Sequence, residues 1–468
     1  MAGLTACLTV ASCTTQGNTG PDLANGEAVP AIMAAPVSPT AISPRPPAAP
    51  RTAKAGAALG LEEVVQRAVA WHPSIDQAVA RLNQSDQNIK VARAGYYPKI
   101  SGGLDSGYSS ATSDDEGWRP KLNVSASQMI YDFGKVSSSV DAQTAGAAVS
   151  RAELLLAVDT LVRDAAQATI EVQRNRALLA VAREQLAGVQ SIAGLVKQRS
   201  DKGASTRSDK VQAEARVEAA QSTILQIASD LGRWESVLAS LIGSAGPVPL
   251  SSAMPAWLSK TCDVGAPDWS KVASVLEAQS QKKQAAAQAA QARAQALPTL
   301  SLDAGASYDI NQSGSENLDY DPSRPQFTLG LKVSSSLYDA ANAPRKGAAD
   351  YALKAADAAE RNARYETGRD LAQAQGQSAS LHRLQGSLSS RAGMMQETRD
   401  LYKKQYVELG TRTLLDLLNA EQELHTAQFD IVNTEHDLRR LEIDCLFNSG
   451  LTRKQFGLQG TVIRGVSL

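Results

Sequence analysis

Two long segments of the chain place apolar residues at alternating steps of three and four positions. The stronger seam runs from Val136 to Ser200, and the segment that returns after Gly203 continues the same repeat. A period of 3.5 residues is typical of helices that supercoil around each other with a left hand. The sequence therefore predicts a helical rod roughly 100 Å long, a turn at Gly203 and a return helix. The seam positions are Leu154, Val158, Leu161, Ala165, Ala168, Val172, Asn175, Leu179, Ala182, Leu186, Val189, Ala193 and Val196 in the rod and Val217, Ala220, Ile224, Ile227, Leu231, Trp234, Leu238 and Leu241 in the return helix.

The second half of the chain has the same organisation with a weaker seam. Its pattern predicts a long helix from Pro344 to Leu409, a turn at Gly410 and another return helix. Shorter helices are expected from Leu61 to Ala94 and from Trp269 to Leu297. We expect the first of these to kink or restart at Pro73, because proline has no backbone N–H to donate.

Four segments between the helices change to a period of two. They predict two hairpins, at 99–132 and 299–338, each with one apolar and one polar face. The charges Asp105, Asp303 and Lys332 fall on the polar face. Strands of about ten residues can cross a bilayer when tilted, and a charge in lipid costs several kcal/mol, so we expect the polar face to line a wet lumen. An ordinary two-layer sheet is the alternative, although the sequence offers almost no other strands to pack on it.

The two halves repeat each other at fixed spacings. Gly203 and Gly410 lie 207 positions apart, and so do the Tyr-Asp pairs that begin at Tyr131 and Tyr338. The chain therefore reads as a tandem duplication. The predicted organisation is a leader and tether (1–57), a first repeat (58–243), a connector (244–268), a second repeat (269–450) and a C-terminal tail (451–468).

Composition excludes several classes of function. Aromatic residues make up only 4% of the chain, fewer than a compact enzyme of 468 residues would carry, and the net charge of −1 gives no bulk attraction to nucleic acid. No run of about 20 apolar residues follows the N-terminus, so we expect no membrane-spanning helix there. No constellation of catalytic, cofactor-binding or metal-ligating residues is visible. The chain is therefore predicted not to be an enzyme and to need no cofactor.

The histidines and cysteines leave two smaller questions. His425 and His436 could share one helix face, but a solvated face is a better interpretation than a metal site. Cys262 and Cys445 could pair in an oxidising compartment. Because Cys445 occupies a seam position where a small apolar residue is expected, we favour simple packing for it.

The N-terminus carries a short apolar run that ends in Val10-Ala11-Ser12-Cys13. This pattern fits a lipobox and predicts lipidation of Cys13, with a trimmed secretory signal and an incidental cysteine as the alternative. The stretch from Thr14 to Gly56 is rich in proline, alanine, glycine and serine, which predicts a flexible tether without a core.

The order of helix, hairpin, long helix, glycine turn and return helix, given twice, resembles the TolC family of outer-membrane exit ducts. The motifs that carry the resemblance are Gly95-Tyr96-Tyr97-Pro98, Tyr131-Asp132-Phe133-Gly134 and the segment from Gly410 to Ala420, GTRTLLDLLNA. The resemblance implies a mixed α+β membrane protein, a homotrimer in which each chain gives four strands to one twelve-stranded barrel and its helices to a periplasmic coiled-coil tunnel. It also implies the outer membrane of a Gram-negative bacterium as the location. Geometry agrees, because closure among three chains removes every exposed strand edge.

The resemblance also assigns roles to the two tip turns at Gly203 and Gly410. Three copies of Asp416, with Asn419 one turn further, would form a constriction at the periplasmic entrance, and such carboxylate rings favour cations. Arg412 would pair with Asp209 and the Ser208 hydroxyl to hold the entrance shut. The sequence departs from the family in two places, since Asn419 replaces an acid and Tyr406 lies one position from a latch tyrosine. Independently of the resemblance, Thr206-Asp209 and Thr413-Asp416 each fit a capping box, the plainer interpretation of both acids.

Two kinds of pump use such ducts, each through a periplasmic adaptor. The segment from Gly203 to Arg216 looks like the tip of members that serve type I protein secretion with an ABC transporter, and we favour that function. The alternative is a proton-driven efflux pump for drugs or metals, which the lipobox favours. A periplasmic coiled-coil adaptor or scaffold is a more distant alternative, since adaptors lack duplicated amphipathic hairpins.

Overall fold

The computed structural model describes residues 58–109, 117–310 and 325–468 of the chain. Cys13, the tether from Thr14 to Gly56 and the loop from Asn311 to Arg324 lie outside the described residues, and lipidation of Cys13 stays a prediction. The described part is mainly helical and carries one four-stranded sheet and one two-stranded sheet. None of its helices is long and apolar enough to cross a membrane.

The helices follow the predicted order in both halves of the chain. Their bounds are α1 (Leu61–Trp71), α2 (Pro73–Arg93), α3 (Lys135–Asp201), α4 (Arg207–Ile242), α5 (Ala273–Ala294), α6 (Asn342–Lys404), α7 (Leu414–Ser449) and α8 (Thr452–Gln455). The predicted restart at Pro73 is confirmed: His72 is extended and its imidazole accepts the Ser74 N–H at the start of α2. The rod α3 differs by one residue at each end from its predicted range. The second rod stops early, because a π-helical turn, Gln405–Leu409, replaces its last α-helical turn.

The main sheet contains the strands β1 (Lys99–Ser109), β2 (Gly117–Tyr131), β3 (Thr299–Asp309) and β4 (Gln326–Ser334). They pair antiparallel in the order β1-β2-β3-β4, so the two hairpins join through β2 and β3. The register sets Ser101 opposite Ser125, Ala126 opposite Ala304 and Leu302 opposite Leu331, which aligns like faces across the four strands. The predicted division into one polar and one apolar face is therefore present as far as the register shift between Met129 and Tyr131 at the end of β2.

The part of the chain that the structure describes leaves the apolar face of this sheet uncovered. On the outer strands β1 and β4 its large side chains are more than half exposed, far more than water would favour for a soluble sheet. Examples are Ile100, Leu104, Phe327, Leu329, Leu331 and Val333. The face needs an apolar environment that residues 58–109, 117–310 and 325–468 do not supply.

The largest core lies where α1 and α2 pack against the middle of α3, with the ends of α4 and α7. The C-terminal tail belongs to this core, since Phe456 is 1% exposed and meets the Trp257 ring edge-on at 5.3 Å between centroids. Two short strands, β5 (Val462–Ile463) and β6 (Val466–Ser467), complete the tail. A smaller core at the tip of the hairpins contains Ile192, Val196, Ala213, Tyr406, Leu414, Leu417 and Leu418.

Packing alone was the wrong interpretation of Cys445, because Cys262 and Cys445 form a disulfide. Cys445 is fully buried in the seam of α7, as expected. The connector, however, contains a 3-10 helix, Leu258–Asp263, whose Thr261 hydroxyl donates to the Glu442 carbonyl and brings Cys262 beside α7. The two cysteines are 183 residues apart, and no local pattern predicts that 3-10 helix.

The solvated face expected for the histidines of α7 was also wrong. His425 is 4% exposed and His436 is 3% exposed. His436 donates from Nδ1 to the Val432 carbonyl at 2.7 Å, while His425 contacts Glu421. Among the residues that the structure describes, no group of His, Cys, Asp or Glu is arranged to hold a metal ion.

Candidate functional site

The candidate site is the tip of the two helical hairpins, where α3 turns into α4 and α6 turns into α7. Each turn contains a glycine with a left-handed backbone, Gly203 at φ 74° and Gly410 at φ 64°. A side chain at either position would strain the backbone, which explains why both turns use glycine. Both predicted capping boxes are confirmed.

Both acids predicted at the tip, Asp209 and Asp416, take part in these capping boxes. The Asp209 N–H donates to Thr206 Oγ1 at 3.1 Å, and the Thr206 N–H donates to Asp209 Oδ2 at 3.0 Å. Asp416 makes the equivalent pair with Thr413 at 3.2 and 3.3 Å. The backbone hydrogen bond from Thr206, with help from Ser205 and the Arg199 charge, lowers the pKa of the Asp209 carboxyl. Asp209 is therefore ionised at neutral pH.

Arg412 contacts residues of its own hairpin. Its Nε donates to Gln405 Oε1 at 3.0 Å, its guanidinium lies 4.5 Å from the centre of the Tyr402 ring, and its Nη1 is 3.9 Å from Asp416 Oδ2. The single chain does not bring Arg412 to Asp209 or Ser208. The predicted latch would therefore have to form between neighbouring chains, and it stays a prediction.

Sequence reasoning missed the contact that does join the two hairpins at the tip. Arg199 of α3 donates from Nη1 to the Tyr406 carbonyl at 2.7 Å, and its guanidinium lies 4.7 Å from the centre of the Tyr406 ring. Tyr406 is 5% exposed and belongs to the tip core. It lies in the π-helical turn Gln405–Leu409, which holds one more residue than an α-helical turn. No local pattern in the sequence marks this turn, so sequence reasoning could not place Tyr406 beside Arg199.

A second link joins the return helices α4 and α7. The Arg216 guanidinium donates to the side-chain oxygen of Gln422 and lies 3.5 Å from Asn419 Oδ1. Asn419 is exposed, so the same side chain remains accessible to water. The residue expected at the constriction therefore also contacts the neighbouring hairpin.

Above the tip, polar contacts continue along the seam between α3 and α7. The Gln167 amide donates to the Asp444 carboxylate at 2.9 Å. Arg174 donates to Asn433 Oδ1 at 2.9 Å, and its Nη1 lies 3.2 Å from Asp437 Oδ1. These bonds hold the upper part of α7 against α3.

The charges predicted for the strands share the polar face of the sheet. Asp105 of β1 accepts from the Asn123 amide, and Asp303 of β3 accepts from the Ser127 hydroxyl on the next strand. Lys332 stands opposite Ser301, two residues from Asp303 on the same face. All three charges are therefore separated from the apolar face by the sheet itself.

Comparison with known proteins gives one consistent result. The sequence model of the outer membrane efflux protein family matches residues 64–244 and 271–444, well over half of the chain. The outer membrane efflux protein BepC of Brucella suis biovar 1 (strain 1330) is 22% identical over 397 residues, which cover 82% of this chain and 84% of BepC.

Two solved structures show the same fold. CusC, a protein that forms a transmembrane channel, aligns with a TM-score of 0.72 at 19% identity over 83% of this chain and 91% of CusC. The outer membrane protein VceC from Vibrio cholerae aligns with a TM-score of 0.72 at 20% identity over 83% of this chain and 96% of VceC.

The predicted TolC-like fold is thus confirmed, with four antiparallel strands and long helical hairpins. Family and fold are those of channel proteins rather than enzymes. The protein is located in the outer membrane of a Gram-negative bacterium and extends into the periplasm. The chain therefore belongs to the outer membrane efflux protein family.

Proposed function

We propose that three copies of this chain form an exit duct that carries cargo from an inner-membrane pump, through a periplasmic adaptor, to the cell exterior. The observation that carries the proposal is the apolar face of the β1–β4 sheet, which the described residues of the chain leave uncovered. Lipid can cover that face, while the charged face with Asp105, Asp303 and Lys332 would line a water-filled lumen.

The sheet edges support closure between chains. Strands β1 and β4 are each paired on one side only within the described part of the chain. An unpaired strand edge in a bilayer is costly, because lipid offers no hydrogen bonds to the backbone. Three four-stranded sheets joined edge to edge give a closed barrel of twelve strands. Aromatic pairs lie at the strand ends, Tyr108 with Trp118 and Tyr131 with Phe133, where lipid headgroups would contact them.

An internal duplication accounts for the way one chain supplies two hairpins. The family model matches two separate stretches of similar length. The helix-start aspartates Asp132 and Asp339 lie 207 positions apart, and so do the left-handed glycines Gly243 and Gly450 that end α4 and α7. Each repeat would then contribute one hairpin to the barrel and one helical hairpin to the tunnel.

The entrance of the duct would be the tip of the helical hairpins. In the trimer, Asp416 and Asn419 would ring the constriction, and Arg412 would reach Asp209 and Ser208 of a neighbouring chain. Carboxylate rings favour cations over anions. Docking of the adaptor would break these contacts and allow the α6–α7 hairpins to shift.

Two cargo classes fit this duct. The first tip segment, from Gly203 to Arg216, favours type I protein secretion with an ABC transporter. The description of the matching family and of BepC as efflux proteins favours the second class, small molecules driven by a proton-coupled pump.

A deletion strain distinguishes the two cargo classes. Loss of one large protein from the culture supernatant, restored by the wild-type gene, would support secretion. An unchanged supernatant with increased sensitivity to drugs or metals would support efflux. If neither the supernatant nor the sensitivity to drugs or metals changes, and the purified protein does not form trimers in detergent, the exit-duct proposal fails.

A further inference from the structure

A buried carboxylate lies on α7 one to two turns beyond the tip. Glu421 follows Asp416 by five residues, which places it about 7.5 Å further along the helix. The residue is 1% exposed. Leaving an ionised carboxylate in such a position costs several kcal/mol unless partners compensate, so its surroundings need an explanation.

Gly188 of α3 makes the space for this carboxylate. A Cβ atom at Gly188 would lie 1.8 Å from Glu421 Oε1 and 2.9 Å from its Cδ, well inside van der Waals contact. Alanine would be the better helix former at this position, by roughly 1 kcal/mol. The glycine therefore allows α3 and α7 to approach each other with a charged side chain between them.

Two partners on the α6–α7 hairpin hold the carboxylate there. Arg399 of α6 places Nη1 3.2 Å from Glu421 Oε2, and His425 of α7 places Nε2 3.1 Å from Oε1. His425 Nδ1 has no hydrogen-bond partner among the described residues, so we assign the proton to Nε2, which donates to the carboxylate. Burial alone would raise the pKa of Glu421, but the His425 hydrogen bond and the Arg399 charge lower it. The carboxylate is therefore charged and held in place.

The position of this contact along the rod gives it mechanical importance. Gly188 lies between Arg174, which joins α3 to the upper part of α7, and Arg199, which joins α3 to the tip. Helices are stiff over these lengths, so a change of spacing at Gly188 must displace the nearby tip of α7. Asp416 at that tip is the residue proposed to form the constriction.

We infer that Glu421 is a positioning residue for the entrance: seated on Gly188, it fixes the distance between α3 and the α6–α7 hairpin and thereby the aperture at Asp416. This inference rests on the proposed function of the chain as a duct. It concerns a contact within one chain and is independent of the Arg412 latch proposed between chains.

The main test measures single-channel conductance of purified, assembled protein in planar lipid bilayers. Gly188→Ala adds one methyl group against Glu421, and we expect a rise in conductance of about twofold or more as the aperture widens. Gly194→Ala is the matched control, because Gly194 is on the same helix, is exposed and has open space at its Cβ position. It should conduct like wild type. The double variant Gly188→Ala/Glu421→Asp relieves the clash with a side chain one methylene shorter, keeps a carboxylate for Arg399 and should return towards wild type.

A second pair of variants covers the case in which Gly188→Ala does not assemble. Arg399→Ala leaves the buried carboxylate without its cation, so Glu421 should move towards water and loosen α7 from α3, again raising conductance. Arg399→Lys keeps the charge and should conduct like wild type.

The outcomes separate this inference from the proposed function. Wild-type conductance in assembled Gly188→Ala and Arg399→Ala channels would overturn the role of Glu421 while leaving the duct intact. A double variant as open as Gly188→Ala alone would also overturn it. If neither wild-type protein nor the latch variant Arg412→Ala assembles into trimers that conduct current, the proposed function itself fails.

Discussion

The lipid-facing role of the sheet can be tested at two adjacent residues of β4. Leu329 is on the apolar face, 75% exposed and opposite Ala304, whereas Thr328 is on the polar face opposite Gly305. Arginine at Leu329 would enter the bilayer near mid-strand at a cost of about 2–4 kcal/mol per chain, or roughly 6–12 kcal/mol for three chains. Arginine at Thr328 would project into water and should cost about 0.5 kcal/mol or less.

The assay is refolding of the full chain from urea into lipid vesicles, with the folded fraction read from heat-modifiable gel mobility. A cost of about 2 kcal/mol lowers the folded-to-unfolded ratio by about 30-fold, so Leu329→Arg should fold far less than wild type. Thr328→Arg should fold like wild type. Equal folding of the two arginine variants would refute the assignment of the apolar face to lipid. Greater loss in Thr328→Arg would show that the two faces are reversed.

Three further predictions follow from the helical part. Cys262→Ser should lose the disulfide to Cys445, which changes mobility on a non-reducing gel and lowers the stability of the fold by about 2–4 kcal/mol. Unchanged mobility and unchanged thermal stability would contradict the pairing. Burial raises the pKa of Glu442 to about 7, so the folded chain keeps a proton that the unfolded chain releases, and stability should fall as the pH rises from about 4.5 to about 7. Glu442→Gln should remove that fall in stability, giving a higher Tm than wild type at about pH 8 and a similar Tm at about pH 4. If the Tm of the variant differed from that of wild type by the same amount at both pH values, the raised pKa of Glu442 would be contradicted. Thr413→Ala removes the acceptor of the Asp416 N–H and should destabilise the start of α7 by about 1 kcal/mol. Amide hydrogen exchange at the start of α7 should then be faster than in the exposed control Thr411→Ala. Equal exchange in the two variants would contradict the cap.

The fold was largely predictable because its elements repeat strong local patterns. The seam from Leu154 to Val196 has the helical period over many turns, and α3 differs from its predicted range by one residue at each end. The alternation in β3 and β4 is strict, and the register of the sheet keeps it. The glycines Gly203 and Gly410 mark turns because only a left-handed backbone closes them.

The candidate site was less predictable, because it depends on contacts between distant segments. Thr206 and Thr413 are local caps and were found from three-residue spacings. The Arg199–Tyr406 contact depends on a π-helical turn that no periodicity indicates, and the Cys262–Cys445 disulfide depends on where the connector folds.

Burial of charge is also hard to infer from sequence. A glutamate at a helix position is expected on the solvated face, yet Glu421 is buried. It is accommodated because Gly188 leaves a space and Arg399 supplies a charge from another helix. Neither partner is near Glu421 in the sequence.

Single-channel recording of the purified chain in planar lipid bilayers tests whether three copies form a conducting duct. We expect uniform conductance steps that depend on assembled trimers, with cations favoured over anions and with larger steps when Arg412→Ala removes the proposed latch. Protein that inserts into the bilayer as a monomer and carries no current would contradict the trimeric duct.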